Sequence, residues 1–200
     1  MRLAITIMVI TLVVAVALPC FAGNNPTAYV AVHVKIHAAK QSCESLPAVS
    51  DCNDITTTYG GSSIDAFPVF YSLTEYKGFE YGMMWPEWSY GGAFTNCADL
   101  VIGDIVDPGD GISHSWLVCQ EAGVGIPGWL WLYADGAGDV CVVNHPVGSV
   151  GPGIYILDCA EGLDNPLYSF CAGVYGATGE DPCDIATEAS TWSEIKNIFR

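Results

Sequence analysis

The chain has 200 residues, 51% of them hydrophobic, and a formal net charge of −16. Six Lys and Arg stand against 22 Asp and Glu, a balance that opposes nucleic acid and anionic lipid as partners. The apolar and aromatic content excludes a disordered polyacid.

Residues 1–22 read as a secretory leader. Met1-Arg2 gives a positive start, Leu3 to Leu18 is uncharged and mostly apolar, and Pro19-Cys20-Phe21-Ala22-Gly23 supplies small residues at a cut after Ala22. An uncleaved anchor is the alternative, but the apolar run is short for a span of ~20 residues. Pro19 does not suit a lipid-modified Cys20. Cleavage leaves 178 residues and a charge of −17, the size of one domain, expected over residues 23–186. The protein is expected to be secreted or periplasmic, without membrane contact once the leader is gone.

Eight cysteines then remain: Cys43, Cys52, Cys97, Cys119, Cys141, Cys159, Cys171 and Cys183. An even number in an exported chain reads as four disulfides. Zinc is disfavoured, because no pair has C-x-x-C spacing. Sequence does not choose the pairing; closure of short loops favours neighbour with neighbour, 43–52, 97–119, 141–159 and 171–183.

From Tyr29 the chain alternates with period two. Val30, Val32, Val34 and Ile36 fall on one face, and Tyr29, Ala31, His33, Lys35 and His37 on the other, expected to face solvent. His33 and His37 are then separated by ~13 Å of strand, too far to share a metal ion, and Lys35 lies between them. Ile64 to Tyr76 reads as one strand region in which Pro68 marks an edge or a break. Phe79, Tyr81, Met83 and Trp85 alternate along Gly78 to Trp85. Asp99 to Val106 and Ile112 to Cys119 are joined by the turn Asp107-Pro108-Gly109-Asp110-Gly111. Trp129 to Ala134 and Asp139 to Val143, separated by Asp135-Gly136-Ala137-Gly138, predict a hairpin. Ile154 to Cys159 and Phe170 to Tyr175 close the series. The fold class is all-β: an antiparallel β-sandwich with disulfides, on a jelly-roll or immunoglobulin-type Greek-key path. A short amphipathic helix is expected over 187–200. Thr191 and Glu194 form a capping box there, and Trp192, Ile195 and Phe199 share the face that packs on the domain.

The strand Ile64-Asp65-Ala66-Phe67-Pro68-Val69-Phe70-Tyr71-Ser72-Leu73, followed by Gly78-Phe79-Glu80-Tyr81-Gly82-Met83-Met84-Trp85-Pro86, resembles the early strands of cohesin-like modules. There, an extended strand precedes a gly-phe-glu-phe-x-leu strand that ends near an Asp-Pro; here Trp85-Pro86 takes that place. The segment from Gly128 to Val143 is similar in order. The resemblance spans about half of the chain after the leader and implies a jelly-roll sandwich used for extracellular attachment. It brings no binding residue with it, and the cysteines lie outside its pattern. More loosely, the chain is similar to exported proteins of environmental bacteria.

Catalytic equipment is sparse. Ser113-His114-Ser115 places both serines on the face opposite the histidine. There is no Gly-x-Ser-x-Gly elbow, and His145 sits in a loop before Pro146. Acidic residues such as Glu180-Asp181 are too common to single out a hydrolytic pair. Two ligand sites are expected instead. If Leu130, Leu132 and Ala134 face the core, then Trp129, Trp131 and Tyr133 line the other face at ~6.6 Å intervals, suited to stacking on a glycan, unless those rings are themselves core. Asp104, Asp107 and Asp110 crowd one turn and Asp135 and Asp139 another, where calcium could be held, although aspartate in turns more often serves backbone N–H groups. No cofactor is otherwise expected. The sequence thus describes a secreted, non-catalytic binding or structural module for glycan or cell-surface attachment. The alternatives are a subunit of an extracellular assembly or a hydrolase with an unrecognised carboxylate pair.

Overall fold

The computed structural model describes residues 23–184. The leader expected over 1–22 and the helix expected over 187–200 lie outside them. Fourteen strands form two sheets, mostly antiparallel, packed face to face.

The first sheet has the order β13 (Ser169–Phe170), β1 (Tyr29–Ile36), β3 (Ser63–Leu73), β9 (Gly128–Tyr133) and β5 (Tyr90–Asn96), with β8 (Gly123–Gly125) also paired to β3. The second is built on β4 (Tyr76–Met84). One edge of β4 pairs with β7 (Gly111–Gln120), which carries β6 (Leu100–Gly103) outside it. Its other edge is shared by β10 (Gly138–Val143) and β11 (Tyr155–Leu157). The sheet continues through β14 (Ala172–Val174) to β2 (Thr58–Tyr59), and through β11 to β12 (Leu163–Asp164). The pairs β1–β13 and β14–β2 are parallel, so the sheets are mixed rather than purely antiparallel.

Period-two patterning fills the space between the sheets. Val30, Val32 and Val34 of β1, Phe79, Tyr81 and Met83 of β4 and Leu130 and Leu132 of β9 are all buried there, and Phe70 stacks on Phe79 with ring centroids 4.0 Å apart. Burying each large side chain contributes ~1.5–3 kcal/mol. Ile36, expected on this face, is exposed at the strand end.

The region Ile64 to Tyr76 is two strands. The turn between them is closed by Asn25, whose Oδ1 accepts from the N–H groups of Thr74 and Glu75. Pro68 does not end the strand. Its partner is Val32, and the N–H groups of Val30 and Val34 point away from β3, to Tyr168 and Thr56. By the same register the Pro68 nitrogen points away from β1, into the gap between β8 and β9, where no strand needs a donor.

Three further expectations are corrected. The hairpin expected from Trp129 to Val143 is a crossing between layers: β9 pairs with β3 and β5, whereas β10 pairs with β4 and β14. Leu130 and Val140 face each other's sheets across the core, and a loop of this length serves either geometry. The disulfides join Cys43–Cys97, Cys52–Cys183, Cys119–Cys159 and Cys141–Cys171, at sequence separations of 54, 131, 40 and 30. Sheet pairing brings distant segments together and overrides short-loop closure. Finally, the outward face of β1 is not wet along its length. Residues 38–57 cross it and form a second cluster, in which Ala31, Phe67, Val69, Tyr71 and Trp129 are buried together with Ile55. Cys43–Cys97 and Cys52–Cys183 fasten this cover at both ends.

Candidate binding faces

The cover divides the outer face of the first sheet. Beneath it His33 is buried, and its Nδ1 accepts from Thr56 N–H at 3.1 Å. Burial first, and the charge of Lys35 second, hold this imidazole below its usual pKa. Beyond the cover, His37 Nδ1 pairs with Oδ1 of the fully buried Asp65 at 2.7 Å. The two histidines are thus engaged in separate hydrogen bonds.

The expected aromatic stripe keeps its parity but not its exposure. Leu130, Leu132 and Ala134 are in the core, while Trp129 packs beneath the cover, its ring 6.2 Å from Phe67. Trp131 is half-buried. Its ring lies 5.3 Å from His37 and 5.9 Å from Tyr90, and its Nε1 donates to Ser63 Oγ at 3.1 Å. Tyr133 is 47% exposed and Tyr90, its direct cross-strand partner, 65%. The open rings on this face are therefore Trp131, Tyr133 and Tyr90. Sequence reasoning missed Tyr90 because Gly91 and Gly92 hide the strand pattern of β5. Those glycines are needed: a Cβ at Gly91 would meet the Trp85 ring at 2.9 Å and one at Gly92 the Trp131 ring at 2.8 Å.

The outer face of the second sheet carries a groove of about 300 Å³ between the β6–β7 and β11–β12 hairpins. Leu100, Ile102, Tyr155 and Leu157 give it apolar walls, with Glu80 and Glu161 as its carboxylates. Leu100 and Ile102, on the outermost strand β6, are 55% and 77% exposed, and Leu117 of β7, whose N–H donates to Asp99 beside β6, is 71% exposed. Glu80 is occupied within the fold. Oε2 accepts from Ser149 N–H at 2.9 Å, and Oε1 accepts from the hydroxyls of Ser149 and Ser113. It thereby holds the loop before β11 at the rim.

His114 lies behind this groove, on the core side of β7. Its Nδ1–H donates to Asn96 Oδ1 at 2.7 Å, and its Nε2 accepts from the Tyr81 hydroxyl at 3.0 Å. Burial pushes it down to about 3. Ser113 and Ser115 project to the opposite face, where Ser115 Oγ donates to the Lys77 carbonyl at 3.3 Å. His145 accepts from Val147 and Gly148 N–H groups in its own loop. Glu180 accepts from Cys171 N–H, and Asp181 from Cys183 N–H.

Two of the three aspartates of the β6–β7 turn, Asp104 and Asp110, serve its backbone. Asp110 Oδ2 accepts from Asp107 N–H at 2.8 Å and from Val106 N–H at 3.2 Å, and Asp104 Oδ1 from Ile105 N–H at 2.8 Å. Among the described residues, the group of three possible metal ligands that converges within 4.8 Å is Glu75 with Cys119 and Cys159. Both of those sulfurs are consumed by a disulfide.

No family profile and no curated protein matches this chain. Its likeness is structural. A type II cohesin domain from the cellulosome of Acetivibrio cellulolyticus superposes with a TM-score of 0.50 at 9% identity, over 76% of this chain and 96% of that one. The fold is cohesin-like. The second type II cohesin module of the ScaA scaffoldin of the same organism gives 0.44 at 10% identity, over 78% and 98%. A type II cohesin–X-dockerin complex gives 0.44 at 12% identity, over 77% and 98%. At these identities it is the cohesin-like architecture that is shared. In addition, this chain's sandwich is cross-linked by four disulfides, which belong to an oxidising environment. No described helix is long and apolar enough to cross a membrane.

Proposed function

We infer that this chain is an exported, non-catalytic module that holds an extracellular protein partner on the outer face of its second sheet. The observation that carries this reading is the set of exposed apolar side chains on β6 and β7, Leu100, Ile102 and Leu117, with Leu100 and Ile102 lining an apolar groove. Apolar surface concentrated in this way marks interaction sites. The cohesin-like fold, shared with a cellulosomal type II cohesin domain, supports an attachment role. The partner's chemistry follows from charge: 20 carboxylates and three lysines lie in residues 23–184, so the fitting partner has apolar anchors flanked by Lys or Arg. The internal engagement of His114 and Glu80 supports a binding rather than a hydrolytic role.

The test compares wild type with Ile102→Asp as bait for extracellular fractions of a producing organism, followed by calorimetry with the captured protein. A charge in the middle of the apolar patch should weaken binding at least tenfold with the melting temperature unchanged. Equal binding by both proteins removes this face from consideration.

A second reading rests on Trp131, Tyr133 and Tyr90. These open rings on the first sheet suit stacking on an extended glycan, and a glycan array probed with wild type and Tyr90→Ala separates the two readings.

A further inference from the structure

The first residues after the expected cleavage point are built into the fold. Asn25 is fully buried, and besides accepting from Thr74 and Glu75 it donates from Nδ2 to the Glu75 carbonyl at 2.8 Å. Its N–H donates to Asp164 Oδ2 at 2.6 Å. Asn24 N–H donates to Asp158 Oδ2 at 2.9 Å, and Asn24 Nδ2 to Glu75 Oε1 at 3.0 Å.

Asp158 and Asp164 are 1% and 9% exposed. Asp158 Oδ1 also accepts from Ala160 and Gly162 N–H groups at 2.9 and 2.6 Å. Amide donors support a carboxylate without neutralising it, and a buried charge calls for an opposite charge. Among the described residues the ion pair within 4.0 Å is His37 with Asp65. No lysine serves Asp158 or Asp164.

Gly23 lies between these two carboxylates. A Cβ placed on it would fall 2.2 Å from Asp164 Oδ2 and 2.9 Å from Oδ1. A Cβ on Gly162 would fall 2.9 Å from the Gly23 Cα and 2.8 Å from Asp158 Oδ2. The Gly23 nitrogen is one bond, ~1.46 Å, from that Cα. In the unprocessed chain it is a neutral amide. After cleavage it is an α-amine, which is protonated below about pH 8.

We propose that Asp158 and Asp164 form a receptor for the α-ammonium group of Gly23, so that removal of the leader completes the fold. A signal peptidase adds water across the Ala22–Gly23 amide. The C–N bond breaks, the hydroxyl goes to the Ala22 carbonyl carbon, and the resulting acid proton ends on the Gly23 amine, giving carboxylate and ammonium. The new cation meets the two buried carboxylates, with Glu75, which accepts from Asn24, as a further acidic neighbour, and among the described residues no Lys or His forms an ion pair with any of them. This inference rests on the export reading and is independent of the partner-binding face.

The protein is exported from a bacterial host and its N-terminus read by intact mass. It is then compared with the same chain acetylated at Gly23 and with a form retaining Ala22. The expected N-terminus is Gly23. The processed form should melt a few degrees higher than the other two at pH 7, and the difference should vanish above about pH 10, where the amine is neutral. Asp164→Asn should abolish it. At pH 7 an amine-acylating reagent should modify Gly23 at least tenfold more slowly than a free Gly-Asn-Asn peptide, a readout that needs no variant. A different N-terminus overturns the processing step. Equal melting of the three forms with peptide-like acylation overturns the receptor.

Discussion

The hydroxyl of Tyr81 and Nε2 of His114 lie 3.0 Å apart with their rings stacked at 5.5 Å, enclosed by the core. With Nδ1–H given to Asn96, the neutral imidazole has both nitrogens satisfied, and a proton on Nε2 would face the hydroxyl that now donates to it. His114 therefore binds its proton only near pH 3 in the folded state, against an ordinary value of 6.5. The unfolded chain binds more protons between these values, so stability is greatest above pH 6.5 and falls as the pH drops toward 3. His33 is shifted in the same direction. Unfolding free energies from urea titrations at pH 7 to 3 should decline by an amount on the order of several kcal/mol, and His114→Gln should flatten that decline. A pH-independent midpoint over this range would contradict the arrangement.

Two rings of the first sheet, Trp129 of β9 and Tyr90 of β5, should answer differently to truncation. Trp129 is 5% exposed under the 38–57 cover, so Trp129→Ala should cost ~3–5 kcal/mol. Tyr90 is 65% exposed, and Tyr90→Ala should change stability by less than ~0.5 kcal/mol. Chemical denaturation of the two variants provides the check, and similar losses in both would argue against the cover.

Cross-link mapping gives a sharp test of topology. Non-reducing peptide digests should contain the pairs Cys43–Cys97, Cys52–Cys183, Cys119–Cys159 and Cys141–Cys171. On loop length alone, deleting Cys52–Cys183 should cost about 5 kcal/mol and deleting Cys141–Cys171 about 4, because their separations are 131 and 30. Recovery of sequence neighbours as pairs would refute the sheet assignment as well.

The β6–β7 turn should be indifferent to calcium. Since Asp110 is spent on the amides of Val106 and Asp107, Asp110→Ala should lower stability by ~1 kcal/mol, equally in calcium and in chelator. A melting temperature that rises with calcium in wild type and not in the variant would show the opposite.

Much of the fold was legible because side-chain parity reports which face is buried. It did so for Val30, Val32 and Val34 and for Phe79 to Trp85, and it placed Leu130 and Leu132 inward. Parity does not report which strand lies alongside. The chain from Trp129 to Val143 therefore read as a hairpin although its halves belong to different layers. Nor does it report what lies over the outer face, which is why His33 read as exposed and Trp129 read as either exposed or core. Cysteine pairing failed for the same reason, since Cys52 and Cys183 meet only once the chain has folded. The groove was invisible at the sequence level, as its walls come from four strands remote in the chain.

The bridge from Cys52 to Cys183 also fixes how the domain carries a mechanical load. A pull applied at its two ends runs through residues 23–52, crosses the sulfur–sulfur bond and leaves beyond residue 183. Cys43–Cys97 adds a second route, so the load is shared between the Cys52–Cys183 bond and the part of the sandwich that holds Cys97. Under tension β1 and its flanks can be peeled away only as far as Cys43, releasing about 70 Å of slack, before the two cross-links take up the load. Covalent bonds thus limit how far a pull can draw out the N-terminal end of the domain.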